Sequence, residues 1–128
     1  MGLFRVPVLD ANTGRITGYK YDVYALNSNP LPFTSYDISS WTKRATLFAA
    51  PKTGQASAFL NLRTGDQIIA AGKSAKPTLT RTSTGLIAGS LFYCLTPEGK
   101  YAAFYVNSIE TNNTGKAVFM NVDVKMAR

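Results

Sequence analysis

Aromatic and cationic side chains alternate along this chain in a way that suits one kind of chemistry. Tyr19-Lys20-Tyr21 is followed by Tyr24, and Trp41 precedes Lys43 and Arg44. Phe59 and Arg63 share one side of an extended Phe59-Leu60-Asn61-Leu62-Arg63. Lys100-Tyr101 opens a run that also carries Phe104 and Tyr105, while Phe119 alternates with Asn121 and Lys125. Flat rings stack on unpaired bases, and Lys or Arg beside them holds the phosphates. Each stacked base contributes about 1–3 kcal/mol, with little regard to sequence. The candidate contacts on this basis are Lys20, Tyr24, Lys43, Arg44, Phe59, Arg63, Arg81, Tyr101, Tyr105, Phe119 and Lys125.

Each aromatic also has a plainer reading. Tyr19, Tyr21 and Val23 share one side, which reads as core. Trp41 lies on a helical apolar stripe, which also reads as core. Phe59 and Phe119 sit on faces that otherwise carry polar residues, so burial and exposure stand as equal alternatives for them. Tyr101, Ala103 and Tyr105 alternate with Ala102, Phe104 and Val106, and either face could be the buried one.

Net charge points the same way. There are 14 Lys and Arg against 7 Asp and Glu, a formal charge of +7 over 128 residues. Cations attract phosphates and release counterions, so binding should depend on salt. The charges are spread over the whole chain rather than gathered in a tail, which suits a groove or curved face.

Other chemistries find little support. The chain has no His, the commonest general base and metal ligand. Cys94 stands alone within the apolar Ser90–Leu95, which excludes an internal disulfide and reads as packing. No phosphate loop, calcium loop or zinc spacing is present. The expectation is a protein that is not an enzyme and needs no cofactor or metal. No apolar run is long enough for a membrane helix. The first residues lack a secretory pattern. The expected location is the cytoplasm, or the host cytoplasm for a viral protein.

The elements that must position these residues are mostly strands. Thr13-Gly14, Thr53-Gly54, Thr64-Gly65, Thr84-Gly85, Glu98-Gly99 and Thr114-Gly115 mark turns. Runs rich in Val, Ile, Tyr, Phe and Thr lie between them. Residues 3–9 should pair with 15–26, and 91–95 with 100–109. Val118, Met120, Val122, Val124 and Met126 alternate with polar positions, the mark of a half-buried strand. Ile38, Trp41, Ala45 and Phe48 fall at helical spacing and predict one short helix over 36–47.

The stretch Phe59-Leu60-Asn61-Leu62-Arg63-Thr64-Gly65-Asp66-Gln67-Ile68-Ile69-Ala70-Ala71-Gly72-Lys73 resembles a piece of OB-fold single-stranded DNA-binding proteins. In that family an aromatic and basic strand meets a Gly-Asp turn, then an apolar strand ending near a cation. The resemblance implies that Phe59 and Arg63 face the nucleic acid and that Lys73 and Lys76 lie near a binding loop. The ending Val124-Lys125-Met126-Ala127-Arg128 is basic, unlike the acidic tail of common bacterial members. It looks more like the compact, tail-less binders of phages and plasmids.

The expected fold is all-β, a single small antiparallel OB-like barrel over 1–128 with that one short helix. The expected function is non-catalytic binding of single-stranded nucleic acid, DNA ahead of RNA, by a homo-oligomer without membrane attachment. The alternative is a structural or assembly protein such as a small capsid or virion subunit.

Overall fold

The computed structural model describes residues 2–28, 45–111 and 118–127. Its elements are β1 (Gly2–Leu9), β2 (Ile16–Tyr24), β3 (Leu47–Phe48), α1 (Ala56–Leu60), α2 (Gly65–Ala75), β4 (Leu91–Leu95), β5 (Tyr101–Thr111) and β6 (Val118–Met126). The protein is mostly β, in two antiparallel sheets.

The first sheet is the β1–β2 hairpin, running from Gly2 opposite Tyr24 to Leu9 opposite Ile16. Gly14 closes its turn at φ +69°, where a Cβ would be strained. The Asn12 N–H donates to the Asp10 carboxylate at 2.8 Å, holding that carboxyl below the usual carboxylate range. The second sheet runs β3-β4-β5-β6. β4 and β5 meet at the Pro97–Gly99 turn as expected, and a bulge between Val106 and Ser108 interrupts the β5–β6 register.

Both faces of the middle of the second sheet are buried, because alternate side chains of β4 and β5 enter separate cores. Phe48, Phe92, Cys94, Ala102 and Val106 pack with Val23, Ala25 and Leu86. Leu91 and Ala103 pack on the opposite side with Phe59, Leu62 and Ile68. This answers the open question at β5: neither face is the wet one.

Segment 79–86 ties the two sheets together. Leu79 bridges to Phe48 of β3, while Arg81 and Leu86 bridge to Tyr24 and Tyr21 of β2. Thr82 is the clasp: its hydroxyl accepts from the Val23 N–H at 3.1 Å and donates to Asp22 Oδ1 at 2.7 Å. The Gly85 N–H also donates to that oxygen, at 3.1 Å. Asp22 is wholly buried; these bonds satisfy its Oδ1, while Oδ2 has no hydrogen-bond partner among the described residues.

Two expectations are corrected here. Among the described residues no ladder joins β1 to β6, so strand pairing does not close a barrel. The stretch read as two strands around a Gly-Asp turn is helical instead. Thr64 and Gln67 form a capping box: Thr64 Oγ1 accepts from the Gln67 N–H at 3.3 Å, and Gln67 Oε1 accepts from the Thr64 N–H at 3.1 Å. That exchange satisfies backbone groups a helix start leaves open. Ile68 and Gly72, four apart, are the buried positions of α2. The helix predicted over 36–47 lies largely outside the described residues, and its last position, Leu47, begins β3.

Gly72 sets how closely α2 approaches the sheet. A Cβ there would collide with the base of the Tyr101 ring on β5. Gly72→Ala should therefore destabilise, although alanine favours helix. Overpacking of this kind costs about 1–3 kcal/mol, against a propensity gain of about 1 kcal/mol. A lowered urea midpoint at unchanged m-value is the expected result.

Candidate nucleic-acid interface

Three of the six described candidate cations, Arg63, Lys73 and Lys125, gather beside helix α2. The capping box holds its start, and Lys76 ends it in the left-handed conformation at φ 55°. Arg63 immediately precedes the Thr64 cap, and its N–H donates to Gln67 Oε1 at 2.7 Å. Lys73 sits in the last turn, where a cation is favoured by the helix dipole.

Two depressions lie along this helix. The first, of about 500 Å³, is bordered by Arg63, Thr64, Ile68 and Lys125. The second, of about 260 Å³, is bordered by Ile69, Lys73, Lys100, Tyr101 and Ala127. Met126 lines the first and Ala127 the second, so the end of β6 runs between them. From Gly65 to Lys73 the helix advances about 12 Å. Cations thus stand in pairs at the two depressions that make up the groove beside α2.

Lys125 is held in place. Its Nζ donates to the Phe59 carbonyl at 2.7 Å and lies 4.4 Å from the Phe59 ring centroid. That ring in turn stacks on Tyr105 at 5.5 Å and 25°. A cation fixed by a carbonyl and a π-face loses little rotamer entropy on meeting an anion.

The stacking candidates fare differently. Phe59 is 4% exposed and Tyr24 is 4% exposed, so neither can take a base as the structure stands. Helical rather than extended geometry turns Phe59 inward. Tyr24 is covered by the edge of Phe4, at 5.9 Å and 68°. Tyr105 is half-buried beneath Phe59, and Tyr101 is half-buried against Gly72 at the groove wall. Phe119 is 50% exposed, yet its cross-strand neighbour is Glu110, well apart from the groove cations.

The remaining cations divide. Lys20 Nζ donates to the Ser83 carbonyl at 2.6 Å, bracing β2 against segment 79–86. Arg81 Nε and Nη2 donate to Ser28 Oγ at 3.1 and 2.7 Å, so its guanidinium serves the fold. Lys76 is exposed at the end of α2. Lys43 and Arg44 lie outside the described residues, as does Trp41. The structure thus unites Arg63 with Lys125, and Lys73 with Tyr101.

Two cations outside the candidate set emerge. Lys100 completes the second depression, and its place after the Pro97–Gly99 turn was the available signal. Arg5 lies 4.1 Å over the Tyr19 ring, which sits beside Tyr21 at 6.5 Å. Pairing of β1 with β2 creates that cluster, which local spacing could not reveal.

A third depression, of about 350 Å³, lies on the opposite side of α2 between Lys52, Ser74 and Tyr93. Burial raises the Tyr93 hydroxyl above its usual range. Burial also pushes the Cys94 thiol up to about 11, which leaves little thiolate at neutral pH. Among the described residues no three His, Cys, Asp or Glu side chains gather as a metal site. No helix among them is long and apolar enough to cross a membrane.

No protein-family model matches the chain, and no curated protein or solved structure matches it either.

Proposed function

We propose that this protein binds single-stranded nucleic acid, DNA ahead of RNA, without catalysis, along the groove beside α2. The observation that carries the proposal is the pairing of Arg63 with Lys125 and of Lys73 with Lys100 at two depressions, spaced by about 12 Å of α2. The phosphates follow the cations, and Tyr101 offers its free edge to a base. An OB-like wrap, open between β1 and β6, is the fold part of the proposal. Segment 79–86 carries pairing from β2 to β3, and β1 approaches β6. The proposed setting is cytoplasmic, with the protein acting as a homo-oligomer.

The test is a titration with a fluorescent thymine oligonucleotide, beside the matching duplex. Four phosphate contacts on a single strand give a log–log salt slope near −2.8, so affinity should fall roughly fifty-fold between 50 and 200 mM salt. Binding that ignores salt, or that favours the duplex, would refute the proposal.

A second reading is supported by the outer half of the β1–β2 hairpin. Val6, Val8, Leu9 and Ile16 are 43%, 47%, 59% and 55% exposed. Apolar patches of that kind mark interfaces. An assembly subunit would use them to build large particles, seen by light scattering without added nucleic acid.

A further inference from the structure

We propose that two copies of this chain join edge to edge through β6, antiparallel about a two-fold axis at Val122, and that each copy thereby delivers Phe119 to the other's groove. The second part rests on the groove being the binding surface.

The starting observation is an open edge. Among the described residues the β6 backbone makes its ladder with β5 and none on its other side, β1 approaching the strand without pairing with it. The strand is nine residues long and contains no proline. A long unprotected edge is a template for another strand. β1, the outer strand of the hairpin, carries Pro7, which lacks an N–H and blunts that edge.

The side chains of β6 fit their own two-fold image. Antiparallel pairing about Val122 sets Val122 against the partner's Val122, Val124 against the partner's Met120, and Met126 against the partner's Val118. Val124 and Met126 are 48% and 50% exposed in one copy, although the inner parts of the same stripe, Met120 and Val122, pack on the core. The pairing covers them. On the other face Asp123 meets the partner's Asn121, and Lys125 meets the partner's Phe119. No like charges stand opposite, as cross-strand pairing requires. All nine positions are paired, the greatest overlap this strand can make with itself.

An axis perpendicular to the sheet keeps each face on its own side. Phe119 and Lys125 share the face that α1 and α2 cover, since both alternate with the core-facing stripe. Within one chain they lie about 20 Å apart along the strand. Across the axis they become direct neighbours, about 5 Å apart at Cβ. The exposed ring that one copy lacks beside Arg63 and Lys125 is then supplied by the other. This gives Phe119 a reason to be exposed, and it makes the binding groove complete only in the dimer.

Sedimentation equilibrium at micromolar concentration should give twice the 13.9 kDa chain mass. Val122→Cys should cross-link to its own copy under mild oxidation, because the two positions are directly opposite. Val124→Cys, one register step away, should not. Mixed Phe119→Cys and Lys125→Cys chains should cross-link to each other. Cys94 is buried and leaves the background low. A monomeric mass, or cross-linking through Val124→Cys in place of Val122→Cys, would overturn the proposal. In the oligonucleotide titration, Phe119→Ala should weaken binding at least five-fold while the dimer persists. Unchanged affinity would remove Phe119 from the groove. Loss of all binding by the unmodified protein would instead strike the proposed function, leaving mass and cross-links to judge the dimer.

Discussion

Phe92→Ala should lower the free energy of unfolding by about 3–5 kcal/mol. Phe92 has no exposed surface and is the second residue of β4. Its ring stacks on Phe104 at 5.1 Å and 6°, and meets the edge of Phe48 at 6.2 Å and 63°. Both contacts disappear with the ring, and such pairs are worth about 0.5–1.5 kcal/mol beyond area alone. The walls of the vacated space are strands held by ladders on both sides, so little collapse can offset the cavity. A domain is stable by only about 5–15 kcal/mol, so a fifth or more of the total would go. Urea unfolding followed by far-UV circular dichroism measures it. Phe119→Ala, at a half-exposed position, should stay within about 0.5 kcal/mol in the same assay. A loss at Phe92 as small as that would mean the core is not assembled this way.

Lys73→Glu combined with Lys100→Glu should weaken oligonucleotide binding on the order of 100-fold at low salt. Both side chains are exposed and border the same depression beside Tyr101. Reversal replaces two attractions to phosphate with two repulsions, and the salt slope should flatten as those contacts vanish. Folding should be little affected, because exposed charges make small stability differences. Lys52→Glu is the matched control: also exposed, it borders the depression on the far side of α2. It carries the charge change of either single reversal, half that of the double variant, and should lower affinity by only a few-fold. Equal losses from both reversals would show that total charge matters and the groove does not.

Much of the strand framework was legible in the sequence. Alternation and turn residues placed β1, β2, β4, β5 and β6 to within a residue or two, because those signals are local. Cys94 was recognisable as a packing residue for the same reason. The middle of the chain was misread. Phe59, Leu60 and Leu62 suit a strand by propensity, but Phe59 and Leu60 end the short helix α1, and the Thr64–Gln67 capping box opens α2 directly after it. Reading the wrong period turned Phe59 outward when it belongs inside. The interface was half legible: charge types were evident, but which cations meet depends on α2 lying across β5 and β6. Arg81 shows the limit of charge as a guide, since Ser28 engages its guanidinium.

The clasp at Thr82 has a consequence for how the chain reaches this structure. The hairpins β1–β2 and β4–β5 close over a few residues, and such local closures take about 1–10 µs. Thr82 instead meets Asp22 across 60 residues and Val23 across 59. The entropy of closing so large a loop must be met before its hydrogen bonds are gained. The arrival of segment 79–86 should then be slow beside hairpins already paired locally. Topologies governed by such distant pairings fold in milliseconds to seconds. During that interval the inner face of β2 and the Phe92 face of the second sheet are both uncovered. The clasp therefore sets how long the young chain remains vulnerable to its neighbours.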